Sequence, residues 1–372
     1  MASSGRTRIL IADDSAVMRS LLRAVVTSDA GLEVAGTAAN GEAALGAIET
    51  LRPDLVLLDV EMPVMDGLAT LKRLRALGHR MPVIMCSSLT QRGARVTIEA
   101  LAGGASDYVA KPAGQASREA ATQALTQDLI PKIHALTRQL QPALPGAARI
   151  PLLAPMPPFK PQPVESVPTA LVIGVSTGGP AALDVLLPSL PADFPLPVLI
   201  VQHMPELFTK LFAERLNGRC PLHVREAVEG APVCAGSMYI ARGNWHMEVL
   251  SGARPGLPPT LHLSQGPPEN HCRPAADVLF RSAAAVYGAG VLAVVLTGMG
   301  TDGTLGARII RQHGGSVLAQ DQPSSAVWGM PGSVVNAGLA QKVLPLNAIA
   351  TEIVRLASRA QTETRELRES AV

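Results

Sequence analysis

The sequence LVIGVSTGG, residues 171–179, is a short apolar run that ends in a glycine-rich turn carrying Ser176. Two later segments repeat this pattern: VLIVQH (198–203) ends at His203, and VLAVVLTGMGTD (291–302) ends at Asp302. Short apolar runs that alternate with helical periodicity are typical of buried parallel strands. If these runs are neighbouring strands, a hydroxyl, an imidazole and a carboxylate meet at one edge of a sheet.

The first half of the chain shows the same alternation of strands and helices. Residues 7–112 contain five β-rich runs interleaved with amphipathic segments, which predicts a doubly wound parallel sheet. A fifth helix is expected from about Ser117 to Leu140. Its apolar positions are Ala121, Leu125, Leu129, Ile133, Leu136 and Leu140. The fold class is therefore α/β, with two doubly wound parallel-sheet domains.

The domain boundaries follow from composition. Residues 141–168 hold nine prolines in 28 positions, which is typical of a semi-extended linker because proline lacks an N–H and disfavours helix. We therefore expect a first domain at 1–140, the linker at 141–168, a second domain at 169–360 and a charged tail at 361–372.

Overall composition argues against several classes of protein. Hydrophobic residues make up 47%, net charge is +2 and aromatic residues make up 3%, so neither disorder nor nucleic-acid binding is indicated. The four cysteines, Cys86, Cys220, Cys234 and Cys272, lack metal-type spacing and fit reduced thiols. No secretory signal or run of about 18 apolar residues is evident, so we expect a cytoplasmic protein that does not insert into membranes.

Polar side chains also end the strands predicted in the first half. Asp13, Asp14, Asp59, Ser87 and Lys111 follow apolar runs and should crowd at one sheet edge. Three carboxylates together require a cation, and oxygen ligands suit Mg²⁺. Asp59 would then be a nucleophile that forms an acyl phosphate. The alternative is that such acids only cap helices or form turns.

With MPVMDG after Asp59 and KP after Lys111, the first half resembles the receiver domain of two-component response regulators over about 115 residues. The resemblance implies a flavodoxin-like fold and phosphorylation of Asp59 by a histidine kinase. It also implies a Mg²⁺ site formed by Asp13, Asp14, Asp59 and the backbone carbonyl of Glu61. The implied switch positions are Ser87, Tyr108 and Lys111.

The segment around Ser176 has the pattern GxSxG, from Gly174 to Gly178, between a predicted strand and helix. Such a turn exposes the serine and leaves backbone N–H groups free to stabilise an oxyanion, although glycine and serine also form ordinary turns. His203 is the candidate base because it ends the next strand. His246 and His271 remain alternatives, since both lie in loops that could reach the same edge.

The loop containing Asp302 supports two interpretations. Gly298, Gly300 and Gly303 form a GxGxxG pattern, and Asp321 ends the following strand, as in a dinucleotide site. However, Asp302 would then lie near the pyrophosphate, and the motif is not at the first βα turn of the domain. In the other interpretation Asp302 orients His203, and the backbone amide of Met299 donates to the oxyanion.

The motifs GVSTGG, QHMP, ADVLFRSAA, LTGMGTDG and QDQPSSAVWGMPG together resemble the catalytic domain of the chemotaxis protein-glutamate methylesterases. The resemblance implies a Rossmann-like domain with the triad Ser176, His203 and Asp302. It implies phosphorylation-activated hydrolysis of glutamate γ-methyl esters on chemoreceptor helices, deamidation of receptor glutamines, and no cofactor for the esterase reaction. The partners would be chemoreceptor cytoplasmic helices and a histidine kinase, and we expect a monomer.

Two further hypotheses stay open at this level. The output domain could only bind a dinucleotide or a partner protein, or the enzyme could act on a different methylated sensor. We expect control by a receiver that blocks a bulky substrate until Asp59 is phosphorylated. One departure from the family is visible: Cys272 stands where histidine is expected, beside Arg273. If this loop lines the substrate groove, substrate recognition is altered; we favour a buried structural cysteine, and in either case we expect the triad to be untouched.

Overall fold

Strand β3 (Leu55–Asp59) is fully buried and lies at the centre of the first sheet, as expected for a parallel strand covered by helices on both faces.

The computed structural model describes residues 5–112, 117–137, 166–254 and 256–369, without the side chains of 118 and 359–369. These residues form two compact units, one before and one after the segment 138–165. The predicted linker 141–168 lies outside the described residues except for 166–168.

The first unit is a five-stranded sheet in the order β2-β1-β3-β4-β5, and every strand pair is parallel. The other strands are β1 (Thr7–Ala12), β2 (Leu32–Ala38), β4 (Val83–Ser87) and β5 (Asp107–Ala110). The helices are α1 (Ala16–Thr27), α2 (Gly41–Leu51), α3 (Gly67–Ala76), α4 (Gln91–Ala102) and α5 (Arg118–Thr137). This order is flavodoxin-like and confirms the predicted doubly wound parallel sheet of the first half.

Local sequence fixes the ends of these helices. Ser15, Asn40, Asp66 and Thr90 are N-caps whose side chains accept a backbone N–H of the first turn. Five of the predicted apolar positions of α5 are buried; these are Ala121, Leu125, Leu129, Ile133 and Leu136. The sixth, Leu140, lies outside the described residues.

The second unit contains a seven-stranded sheet in the order β14-β13-β12-β6-β7-β9-β8, again with parallel pairs only. Its strands are β6 (Ala170–Val175), β7 (Val198–Gln202), β8 (His223–Glu226), β9 (Ser237–Ile240), β12 (Val291–Val295), β13 (Ser316–Gln320) and β14 (Lys342–Leu344). Its helices are α6 (Gly179–Leu186), α7 (Glu206–Asn217), α8 (Ala276–Tyr287), α9 (Thr304–Gln312), α10 (Met330–Asn336) and α11 (Leu346–Glu369). The apolar runs that precede Ser176, His203 and Asp302 are thus the adjacent strands β6, β7 and β12.

A two-stranded antiparallel sheet, β10 (His246–Leu250) with β11 (Thr260–Ser264), packs against α8. This hairpin and the short strands β8 and β14 have no counterpart among the predicted strands. The end of α11 runs into the charged tail predicted at 361–372. Among the described residues, the longest helices are too polar to span a bilayer.

Candidate active site and phosphorylation site

Strand register places Ser176 and His203 side by side. Val175 of β6 pairs with Gln202 of β7, and each strand ends there, so the next residue in each chain segment is Ser176 or His203. The His203 N–H continues the ladder by donating to the Val175 carbonyl at 3.3 Å. The chain passes from β6 to β7 on one side and reaches β12 on the other, so this edge is a topological switch point where open α/β sheets bind ligands.

Glycines allow two segments to approach each other at Ser176. Gly178 has a φ of +77°, a left-handed conformation that side chains disfavour, and it begins α6. At Gly298 an added Cβ would lie 2.8 Å from the Ser176 Cβ, so only glycine lets the β12 loop pass here. The Ser176 N–H donates to the Thr297 carbonyl of that loop at 3.0 Å. The loop therefore lies directly against Ser176.

Asp302 and His203 form a buried pair. The distance from His203 Nε2 to Asp302 Oδ2 is 2.8 Å, and Asp302 is only 2% exposed. The carboxylate also accepts the N–H groups of Ala276 at 2.6 Å and of Asp277 at 3.0 Å, at the start of α8. Burial alone would raise the pKa of Asp302, but these hydrogen bonds and His203 lower it below its ordinary value. Asp302 is therefore ionised and holds the imidazole by Nε2.

The other imidazole nitrogen faces a cysteine. Cys272 Sγ lies 3.5 Å from His203 Nδ1, and the cysteine is half-buried. Burial lowers the pKa of His203, but the hydrogen bonds with Asp302 and Cys272 outweigh it and raise the pKa to about 10. The interpretation of Cys272 as a buried cysteine that leaves the triad untouched is therefore wrong: the thiol contacts the base. Within the described residues, the Ser176 hydroxyl makes no hydrogen bond to His203.

Met299 lies in the same loop, and its side chain is 37% exposed. The neighbouring Gly298 carbonyl accepts the N–H groups of Gly329 and Met330, which fixes the loop. Among the residues that the structure describes, the Met299 N–H has no acceptor. An amide that is held in place without a partner is suited to bind a developing oxyanion, so the predicted role of Met299 remains compatible with the geometry.

The residues of the dinucleotide interpretation have other contacts. The Asp302 carboxylate points to His203 and the start of α8, and Asp321 Oδ1 accepts the N–H and hydroxyl of Ser324 in a local turn. The Asp302 carboxylate is therefore fully occupied, and one oxygen of Asp321 is engaged within its own turn. This geometry favours the interpretation in which Asp302 orients His203.

The alternative bases, His246 and His271, do not end a strand beside Ser176: His246 begins β10, and His271 lies in the loop between β11 and α8. His246 is 3% exposed, with Nε2 at 3.0 Å from the Pro267 carbonyl, while its Nδ1 accepts the Ala275 N–H. Both nitrogens are thus used to fix loops around α8. His271 is exposed. Only His203 lies beside Ser176 at a strand end.

In the first unit the predicted acidic cluster is present. Carboxylate oxygens of Asp13, Asp14 and Asp59 lie within 4.8 Å of one another at the ends of β1 and β3. Lys111 Nζ lies 2.8 Å from Asp13 and 2.7 Å from Asp59. Burial raises the pKa of Asp59 although Lys111 opposes this shift. The set consists of hard oxygen donors with excess negative charge, which fits Mg²⁺.

The predicted switch residues occupy neighbouring positions. Ser87 is fully buried at the end of β4, and its hydroxyl donates to the Ser88 carbonyl at 3.1 Å. Tyr108 is 8% exposed on β5, with the Lys132 ammonium 5.2 Å from its ring centre. The Glu61 N–H donates to Asp59 Oδ1 at 3.4 Å, so the Glu61 backbone lies beside the cluster, and the role of its carbonyl as a Mg²⁺ ligand stays a prediction.

Two residues of the active-site edge were missed by the sequence analysis. Asn270 donates to both Asp302 and Asp277, and Asp277 is fully buried at the start of α8. The motif NHCRPAAD contains both residues, but nothing in it indicates that the turn folds back over the Asp302 loop. The preference of asparagine for left-handed turns was the one available signal.

The fold and the two sites define a response regulator whose second unit brings serine, histidine and aspartate together at one sheet edge. Residues 9–123 match the response regulator receiver domain, and residues 171–353 match the CheB methylesterase family.

Individual relatives cover nearly the whole chain. A protein-glutamate methylesterase/protein-glutamine glutaminase of Nocardioides sp. is 49% identical over 354 residues, covering 95% of this chain and 96% of the relative. One of Trichodesmium erythraeum is 47% identical over 356 residues, with 94% and 98% covered. The crystal structure of the Thermotoga maritima CheB methylesterase catalytic domain is 42% identical, with a TM-score of 0.49, and covers 51% of this chain and 100% of that one. The chain belongs to the protein-glutamate methylesterase/protein-glutamine glutaminase family.

Proposed function

We propose that this protein hydrolyses glutamate γ-methyl esters on the cytoplasmic helices of chemoreceptors and releases methanol. Membership of the family and the names of its relatives support the substrate class. The observation that carries the chemistry is the buried His203–Asp302 pair next to Ser176, at the ends of three adjacent strands. We place the protein in the cytoplasm as a monomer that does not bind nucleic acid.

Ser176 is the proposed nucleophile, and His203 Nδ1 is the proposed base. With Asp302 on Nε2, the neutral imidazole carries its proton there and presents a lone pair at Nδ1, so Cys272 has to leave this nitrogen before it can accept the serine proton. The Ser176 oxygen attacks the ester carbonyl, and the Met299 amide binds the oxyanion that forms. His203 then returns the proton to the departing methoxide, which leaves as methanol.

Water completes the reaction. His203 takes a proton from water, the hydroxide attacks the acyl-serine carbonyl, and the C–O bond to Ser176 breaks as the serine oxygen is reprotonated. The products are the glutamate carboxylate and the free enzyme. Deamidation of a receptor glutamine follows the same course, with ammonia leaving in place of methanol. Neither reaction uses a cofactor.

The first unit is the proposed switch. Asp59 would accept a phosphoryl group from a histidine kinase, and Lys111 and Ser87 would contact the transferred oxygens. The Mg²⁺ ligands would be Asp13, Asp14, Asp59 and the backbone carbonyl of Glu61. The metal would offset the negative charge of the phosphoryl group. Ser87 and Tyr108 would be the switch residues, whose side chains change with phosphorylation of Asp59. Phosphorylation would raise the esterase activity of the second unit.

Methanol release tests this function. Membranes carrying methylated chemoreceptors are incubated with the protein, and methanol is measured with and without acetyl phosphate and Mg²⁺. We expect release by the parent protein and none by Ser176→Ala. If Ser176 still reacts with a fluorophosphonate but no methylated receptor tested releases methanol, the proposed substrate is wrong, while the assignment as a serine hydrolase stands.

A further inference from the structure

Residues Glu269 to Cys272 form a tight turn beside the His203–Asp302 pair. The Glu269 N–H donates to the Cys272 carbonyl at 3.0 Å, and the Cys272 N–H donates back at 2.8 Å. Asn270 and His271 both have positive φ, +50° and +63°, which is the conformation of a two-residue type I′ hairpin. A bidentate salt bridge between Glu269 and Arg281 of α8, with N···O distances of 2.9 and 2.5 Å, anchors the turn.

The turn directs one carboxamide between two buried carboxylates. Asn270 Nδ2 donates to Asp302 Oδ1 at 3.0 Å and to Asp277 Oδ2 at 2.9 Å, so both of its hydrogens are used. Asp302 is 2% exposed, and Asp277 is fully buried. The second oxygen of Asp277 accepts the Gly306 N–H at 2.6 Å. Asn270 is thus the one side chain that donates to both acids within the described residues.

The Asp277 and Asp302 carboxylates are buried, share one hydrogen-bond donor and repel each other when both are ionised. This repulsion favours protonation of the pair, and Asp302 must stay ionised to hold His203. Burial and the Asp302 charge raise the pKa of Asp277 to about 6, whereas the donors around Asp302 lower the pKa of that residue. A neutral side chain with two N–H donors stabilises both carboxylates at once. Without the Asn270 carboxamide, the Asp277–Asp302 pair would take up a proton at a higher pH.

We propose that Asn270 is a positioning residue of the hydrolase, which acts through Asp302 to keep the His203 imidazole oriented and its partner ionised. This inference rests on the proposed function, since it assigns a residue to the same site. Asparagine meets two requirements here: it tolerates a positive φ better than most residues, and it supplies two donors. Glycine meets only the first, and aspartate has the shape but not the donors.

Two substitutions separate these requirements. Asn270→Gly keeps the backbone conformation and removes the carboxamide. Asn270→Asp keeps the size, removes both donors and adds a third carboxylate. The matched control is His271→Gly, at the next position of the same turn, because His271 is exposed and also has a positive φ. The thermal midpoint of each full-length variant is measured first, so that a loss of folded protein is recognised.

The readout is the rate constant for labelling of Ser176 by a fluorophosphonate between pH 5.5 and 9, followed by kcat and KM for methanol release. We expect Asn270→Gly to lower labelling about 10- to 100-fold, by analogy with residues that orient metal ligands through a hydrogen bond. Its deficit should grow as the pH falls, because the carboxylate pair then gains a proton. Asn270→Asp should instead recover partly as the pH falls, because the introduced carboxyl group, once protonated, can donate one hydrogen bond. In turnover, kcat should fall with KM nearly unchanged, and His271→Gly should match the parent.

The outcomes distinguish this inference from the proposed function. Labelling of both variants within twofold of the parent would overturn the positioning role, and so would equal deficits that do not change with pH. If the parent labels normally but releases no methanol from receptors, the substrate assignment fails while the labelling comparison still decides the role of Asn270. A parent protein that does not label at all would contradict both.

Discussion

At the scale of single residues, the surroundings of Asp302 require a carboxylate more strictly than those of the other triad residues require their side chains. Five donors converge on its carboxylate: the N–H groups of Ala276, Asp277 and Gly303, the Asn270 carboxamide and His203 Nε2. A carboxylate accepts at both oxygens, whereas an amide turns one of them into a donor. The geometry therefore selects aspartate for its charge and for its acceptor-only character.

We expect Asp302→Asn to lower turnover by about 10³- to 10⁴-fold, comparable to the effect of the same change in the serine protease triad. The new NH₂ group would favour the imidazole tautomer with its proton on Nδ1, which cannot accept the serine proton. Stability should change little, because one lost hydrogen bond is offset by relief of repulsion with Asp277. Methanol release and urea unfolding measure the two effects. A turnover within twofold of the parent would remove Asp302 from the catalytic residues.

Cys272 should control the pH at which the base becomes available. Burial lowers the pKa of His203, but Asp302 and then Cys272, whose sulfur accepts the Nδ1–H of the imidazolium, raise it to about 10, and a protonated imidazole cannot accept the Ser176 proton. Removing a group that raises a pKa lowers that pKa. We therefore expect Cys272→Ala to shift the acid limb of the kcat/KM profile to lower pH and to raise activity near neutrality.

The control for this prediction is Cys220→Ala, since Cys220 is a half-buried free thiol of the same unit that follows α7 and has no contact with His203 among the described residues. Its pH profile should match that of the parent. An acid limb of Cys272→Ala that stays in place or moves to higher pH would show that the thiol does not hold the proton on His203.

The proximity of Ser176, His203 and Asp302 could be predicted from the sequence, because each follows a buried strand and strand ends of a parallel sheet share one edge. The sequence was not sufficient for Cys272 or Asn270. Their contacts depend on a turn between β11 and α8 that folds over the sheet edge, and no periodic pattern specifies such a long-range contact. The Cys272 interpretation was wrong for this reason.

At the scale of elements, most of the strands that were predicted are buried apolar runs, whereas β2 was predicted although most of its positions are half-buried. β6, β7 and β12 are uninterrupted apolar runs, which a sequence pattern reveals clearly. The strands that were missed, β8, β10, β11 and β14, have exposed or half-buried positions and three to five residues each. Their short, mixed patterns are stabilised by packing against neighbours, so their formation depends on the tertiary fold more than on local sequence.

The ends of β1 and β3 concentrate negative charge, and this has a measurable cost in stability. Burial raises the pKa of Asp59, so its ionisation opposes folding: stability is greatest below the ordinary pKa and declines as the pH rises through the raised value. At neutral pH and without divalent cations, Asp59→Asn should therefore raise the unfolding midpoint of the receiver transition. Mg²⁺ should stabilise the parent by binding the folded state and should stabilise this variant much less.

Asp14→Asn is the matched comparison, because Asp14 belongs to the same cluster but is exposed. We expect its unfolding midpoint in a metal chelator to stay close to that of the parent, while its response to Mg²⁺ is weakened. Differential scanning calorimetry of the full chain, with and without Mg²⁺, measures both quantities. A lower midpoint for Asp59→Asn in the chelator would contradict the proposed cost of burying the Asp59 charge.

At the scale of the whole molecule, the chain joins the proposed phosphorylation site to the proposed hydrolase site, and two measurements can show how the first controls the second. Acetyl phosphate with Mg²⁺ should raise methanol release from methylated receptors several-fold for the parent and not for Asp59→Asn. Fluorophosphonate labelling of Ser176 requires only a small molecule to reach the serine. If the unphosphorylated receiver restricts a bulky receptor helix and leaves the His203–Asp302 pair intact, phosphorylation changes methanol release while the labelling rate stays constant. Equal increases in both would instead mean that phosphorylation acts on the geometry around Ser176, and unchanged methanol release would show that Asp59 does not control this enzyme.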